Sequence, residues 1–125
     1  MTADVRTTIA VVEDDPGVRT ALHQLLRSAG FEVVAFESAE DFLASNDLGQ
    51  FTCAITDIQM PGMNGFELKR ELSTHHGSLP VIMITARAEP GIEEKAMSSG
   101  ATCLLRKPFE AKTLVSCLQQ VLKGA

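Results

Sequence analysis

Glu13, Asp14, Asp57, Thr85 and Lys107 each stand at the end of an apolar run. Ile9-Ala10-Val11-Val12 runs into Glu13-Asp14, Cys53-Ala54-Ile55-Thr56 stops at Asp57, Val81-Ile82-Met83-Ile84 stops at Thr85, and Cys103-Leu104-Leu105 leads to Arg106-Lys107. If these ends meet, three carboxylates crowd together, and their repulsion either raises a pKa or demands a cation. The ligands are oxygens, which favours hard Mg²⁺ over zinc or copper. A cation held by carboxylates, a lysine point charge and a threonine hydroxyl is equipment for holding a transferring phosphoryl group. Asp57 is then the nucleophile, forming an acyl phosphate.

Whether the ends meet depends on the elements that carry them. Strands are expected over 7–12, 31–36, 53–57, 79–84 and 102–106, and helices over 16–29, 39–43, 66–75, 90–99 and 109–122. Asp15-Pro16 supplies an N-cap and a first-turn proline, and Gly30 stops the first helix. Ser38-Ala39-Glu40-Asp41 resembles a capping box with Asp in the Glu position. Pro61-Gly62 and Asn64-Gly65 read as turn signals between the third strand and its helix, and Asn46-Asp47-Leu48-Gly49 as a loop. Five strands alternating with five helices imply an α/β fold, a single doubly wound (βα)5 domain with right-handed crossovers. At this length the layout is the flavodoxin-like parallel order 2-1-3-4-5, in which strands one, three, four and five are neighbours. The polar ends then form one cluster at the sheet edge where such folds place their chemistry.

Composition sets bounds on function. The chain has 125 residues, enough for one domain with a single core, and its 45% hydrophobic and 22% charged residues exclude general disorder. A formal charge of −5 gives no reason to expect the domain itself to bind nucleic acid. Cys53, Cys103 and Cys117 are odd in number with no C-x-x-C pair, which points to free thiols in a reducing compartment. Met1 to Arg6 has the wrong pattern for a signal peptide, and no run reaches membrane-spanning length, so a cytoplasmic location is expected.

Glu13-Asp14, Asp57 followed by Met60-Pro61-Gly62-Met63-Asn64-Gly65, Thr85-Ala86 and Lys107-Pro108-Phe109 resemble the receiver domain of two-component response regulators. The resemblance covers nearly the whole chain. It implies that Asp57 accepts a phosphoryl group from a sensor histidine kinase or a small phosphodonor. It further implies that Asp14, Asp57 and the backbone carbonyl of Gln59 bind Mg²⁺, with Glu13 acting through water, and that Thr85 and Lys107 contact the phosphoryl oxygens. Activation in the family reorganises the face made by the fourth helix, fifth strand and fifth helix, a route to homodimers. Thr85 moves toward the phosphoryl group and an aromatic on the fifth strand turns inward; here that position is Leu104. Glu13 stands where the family more often has Asp. Gln59 and Arg87 match positions that tune phosphate lifetime, so Arg87→Ala is expected to change autodephosphorylation. The loop and last helix look most like receivers that precede a LuxR-type helix-turn-helix domain. A DNA-binding effector beyond Ala125 is therefore expected, with a stand-alone receiver as the alternative.

Rival functions meet specific obstacles. A metal-dependent phosphatase with an Asp nucleophile, of the haloacid-dehalogenase type, needs a second acid two residues on, where this chain has Gln59. A flavodoxin-like cofactor site needs a small, hydroxyl-rich loop after the first strand, where Glu13-Asp14-Asp15 would repel phosphate. A degenerate receiver acting only as a binding surface is at odds with the intact acidic and phosphoryl-holding set. The domain is thus expected to be no turnover enzyme, only to transfer a phosphoryl group to itself and hydrolyse it slowly. His75-His76 near a helix end, and His23 on the first helix, are expected to be solvated surface groups. Cys53 and Cys103 are expected in the core, Cys117 toward the surface, and Met60 and Met63 as loop packing.

Overall fold

A computed structural model describes residues 7–45, 48–75, 77, 79–87 and 89–124. The expectations for Met1 to Arg6, Asn46, Asp47 and His76 lie outside the described residues. In chain order the elements are β1 (Thr8–Val12), α1 (Pro16–Ser28), β2 (Glu32–Phe36), α2 (Ala39–Leu43), a 3-10 turn (Leu48–Gln50), β3 (Cys53–Asp57), α3 (Gly65–His75), β4 (Val81–Thr85), α4 (Ile92–Ser98), β5 (Cys103–Arg106) and α5 (Ala111–Gly124). The five strands form one parallel sheet in the order β2-β1-β3-β4-β5, as expected.

The period-2 alternation of strand side chains divides the core into two layers. On one face Ala10, Val12, Ala54, Val81 and Met83 meet Phe42 of α2, Leu68 and Leu72 of α3, and Ile92 and Ala96 of α4. On the other, Ile9, Val11, Ile55, Ile82 and Ile84 meet Leu22 and Leu26 of α1 and Leu114, Leu118 and Val121 of α5. Covered on both sides, β3 and β4 are buried at every position, which explains their unbroken apolar runs. Edge strand β2 is half-exposed, and Val34 reaches solvent.

Helix starts show where local chemistry prevailed over periodicity. Asp15 Oδ1 accepts from the amides of Gly17 and Val18, and Ser38 Oγ from that of Asp41, as their sequence positions predict. α3 begins one residue earlier than expected because Asn64 and Glu67 form a reciprocal cap. The Glu67 amide donates to Asn64 Oδ1 and the Asn64 amide to Glu67 Oε1, both at 2.9 Å. α4 begins at Ile92 rather than residue 90, since Gly91 at its N-cap is left-handed (φ 82°) and has no side chain to cap with. β4 begins at Val81, not residue 79. α5 begins at Ala111, and Phe109, expected in its first turn, packs against the core ahead of it.

Candidate functional site

The strand order brings the carboxyl ends of β1, β3, β4 and β5 side by side, and the polar groups converge there. Lys107 Nζ donates to Glu13 Oε1 and to Asp57 Oδ2, each at 3.0 Å. Glu13, Asp14 and Asp57 each offer a carboxylate oxygen within 4.8 Å of the others. Asp57 is buried to 6% exposure and Glu13 to 1%, while Asp14 faces solvent. The cluster is therefore open on one side and walled by the sheet on the other. Asp57 Oδ1 accepts from the Gln59 amide at 3.3 Å, so both oxygens of the expected nucleophile are held.

The environment of each charge follows from its partners. Burial pushes the Glu13 carboxyl up to about 7, the Asp57 charge adds to this, and the Lys107 and Asp15 donors only partly oppose it. Burial alone would lower the Lys107 pKa, but its hydrogen bonds and attraction to Asp57 and Glu13 outweigh that and raise it. Lys107 is thus a fixed cation wedged between two acids that would otherwise repel one another.

Thr85, fully buried, ends β4 next to this cluster, and its carbonyl accepts the Lys107 amide at 2.8 Å. The site therefore combines three acids, a cation and a hydroxyl on adjacent strand ends. Residues 9–119 match the response regulator receiver domain family. This chain belongs to that family. It is 33% identical over 117 residues to the transcriptional regulatory protein FixJ of Bradyrhizobium diazoefficiens, covering 94% of this chain and 57% of that protein. It is 36% identical over 124 residues to the response regulator protein TmoT of Ectopseudomonas mendocina, covering 98% and 56% respectively. The crystal structure of FixJ-N superposes with a TM-score of 0.85 at 31% identity, covering 100% of this chain and 98% of that one. The receiver spans about half the length of the curated relatives it matches.

Several residues that shape the receiver's site carry no motif-like signal. Arg19, on the first turns of α1, donates to the carbonyls of Glu13 (2.9 Å) and Asp14 (3.4 Å), fixing the acidic loop from behind. Glu40 on α2 accepts the Met63 amide at 2.9 Å and so ties down the loop after β3; that bond also lowers the pKa of its carboxyl. A long-range contact such as Glu40 to Met63 cannot be read from local spacing. Arg19 sits one helical turn beyond Asp15, and only that proximity to the acidic loop could have pointed to it.

The residues expected to form the switch have separate positions. Thr85 Oγ1 lies 3.1 Å from Gln59 Oε1 and accepts the Arg87 amide at 3.1 Å. The Arg87 guanidinium bonds Glu89 at 3.3 Å in an exposed pair. Leu104 is half-buried on β5 beside Met83 and packs on the core face shared with α4. Met60 is buried and Met63 half-buried against that same layer, as expected of loop packing.

The cysteines and histidines correct parts of the sequence reading. Cys53 is a core thiol, and burial pushes it up to about 12. Cys103 is only half-buried, because β5 is an edge strand and this side chain meets α5 at its rim, near Cys117 and Gln120. Partial burial and the neighbouring Cys117 still push it up to about 12. Cys117 is half-buried, packed against the inner layer of α5 rather than turned to solvent. His23 is half-buried on α1, whereas His75 is exposed at the end of α3, 3.7 Å from Glu71.

Proposed function

We propose that Asp57 is the phosphoryl acceptor of a phosphorylation-controlled signalling module, charged by a sensor histidine kinase or a small phosphodonor. The observation that carries this reading is the Lys107 ammonium bridging Asp57 and Glu13 at 3.0 Å to each, with Asp14 alongside. A carboxylate oxygen of Asp57 forms the new bond to phosphorus as the bond from phosphorus to the donor's imidazole nitrogen breaks. Lys107 is in place to hold a phosphoryl oxygen before the donor arrives, and Thr85 contacts another once it moves toward the group.

The cluster of oxygen donors with one open side fits a Mg²⁺ ion. Asp14, Asp57 and the Gln59 carbonyl would hold it, with Glu13 through water, and it would neutralise charge on the transferring group. Incubation with a small phosphodonor and Mg²⁺ is expected to add one phosphoryl group, read by intact mass. No adduct would overturn the proposal.

Glu13 makes the site pH-sensitive in a definite direction. Its folded pKa of about 7 lies above its ordinary value of 4.5. The stability it contributes is complete below the ordinary value and is lost as pH rises through about 7. In metal-free buffer the urea midpoint is therefore expected to fall between about pH 5 and about pH 8 through this group. Bound Mg²⁺ favours the ionised carboxyls, so its stabilising effect should be larger at the higher pH. A Mg²⁺ effect that shrinks with rising pH would contradict the proposed metal site.

The output runs through the α4-β5-α5 face, where phosphorylation shifts Thr85 and repacks Leu104, and it controls transcription through a DNA-binding effector in the full-length protein. One feature supports a homodimer on this face: Met97 of α4, a large apolar side chain left exposed. Beryllofluoride, a phosphoryl analogue, is expected to shift the receiver to a dimer in size-exclusion chromatography, and Met97→Lys to prevent that shift. The receiver is a regulatory module of the cytoplasm rather than a turnover enzyme. Among the described residues no helix is long and apolar enough to cross a membrane.

A further inference from the structure

Gln59 touches the site at both ends. Its backbone amide donates to Asp57 Oδ1 at 3.3 Å, and its side-chain oxygen lies 3.1 Å from the Thr85 hydroxyl. Thr85 Oγ1 is fully buried and also accepts the Arg87 amide at 3.1 Å. A hydroxyl has a single hydrogen to give. Here it can go to Gln59 Oε1 or, at a longer 3.3 Å, to the Arg87 carbonyl. In neither case is it free to donate to an oxygen on Asp57.

We propose that the Gln59 carboxamide is a latch that holds Thr85 in its inactive position, so that phosphorylation must break this bond before Thr85 can move. Gln59 is thus a positioning residue for the switch, acting through Thr85. The inference rests on the reading of Asp57 as acceptor and adds a cost to the active arrangement. A net hydrogen bond contributes modestly, so the latch sets the balance between two states rather than blocking one.

The chemistry of the pair fixes the test. Gln59→Met keeps the length and bulk of the side chain and removes the acceptor, so it should tighten binding of beryllofluoride with Mg²⁺ about 2- to 10-fold by calorimetry. In a Thr85→Val background, which lacks the hydroxyl but keeps its shape, the same substitution should change binding by less than about 2-fold. Thr85→Ala serves as the background if the valine variant fails to fold, as judged by its thermal transition. Equal tightening in both backgrounds, no tightening, or weaker binding in the Thr85 background would overturn the latch. Failure of the wild-type receiver to bind beryllofluoride at all would instead remove the acceptor role of Asp57, and the latch with it.

Discussion

Asp57→Asn is expected to abolish the phosphoryl adduct completely while leaving the receiver folded. The amide is isosteric with the carboxylate, so the packing is kept, but its single oxygen can accept from only one of the two donors that now use separate oxygens, the Gln59 amide at 3.3 Å and Lys107 at 3.0 Å. The charge disappears with the second acceptor. A neutral carboxamide is a poor nucleophile, and no second acid stands in its place, since Asp14 is solvent-exposed and Glu13 is held by Lys107 and the Asp15 amide. Removing the Asp57 charge also removes one of the causes that raise the Glu13 pKa. In metal-free buffer the variant should therefore unfold at a urea concentration equal to or above that of wild type. Intact mass after phosphodonor treatment checks the first expectation and a urea titration the second. An adduct of unchanged size on the variant would place the acceptor elsewhere, and a large drop in midpoint would mean that Asp57 is structural.

Most of this architecture can be read from the chain because parallel strands covered on both faces leave a strong imprint. The buried runs of β1, β3 and β4 are mostly apolar, and the polar residue at or just beyond the end of each one marks the site edge. Glu13, Asp57 and Lys107 therefore came together by topology alone. The residues that hold the loops did not. Glu40 reaches Met63 across 23 positions, and Gln59 reaches Thr85 across 26, distances over which periodicity says nothing. Cys103 illustrates a related gap: a thiol in a strand reads as buried, but β5 is the last strand of the sheet, and edge position depends on strand order rather than composition.

Gly65 shows the same limit at a single residue and leads to the second large expected effect. In the sequence, Asn64-Gly65 is a turn signal, which assigns glycine the job of supplying a left-handed conformation. In the structure Gly65 opens α3 without a positive φ, and its amide donates to the Ile58 carbonyl at 2.9 Å. The missing side chain is what matters. A Cβ there would lie 2.7 Å from the Asp57 carbonyl oxygen and 2.9 Å from Ile58 Cα, both backbone atoms that cannot swing aside.

Gly65→Ala must therefore push α3 away from the strand end that carries the proposed acceptor, Asp57. The expected cost is about 1–3 kcal/mol in a urea titration, the range for overpacking a tight site. Displacing the Asp57 backbone should also slow phosphorylation by a small phosphodonor about 10- to 100-fold, because positional error of this kind is costly in a preorganised site. Gly62→Ala is the informative comparison. Gly62 is left-handed (φ 74°), and its new Cβ would meet only the flexible Glu40 carboxylate at 2.7 Å. That variant should lose about 1–2 kcal/mol to backbone strain but phosphorylate within a few-fold of wild type. If Gly65→Ala phosphorylates at the wild-type rate, the close approach of α3 to Asp57 does not position the acceptor. If Gly62→Ala is equally slow, the whole loop, not the Gly65 contact, sets the geometry.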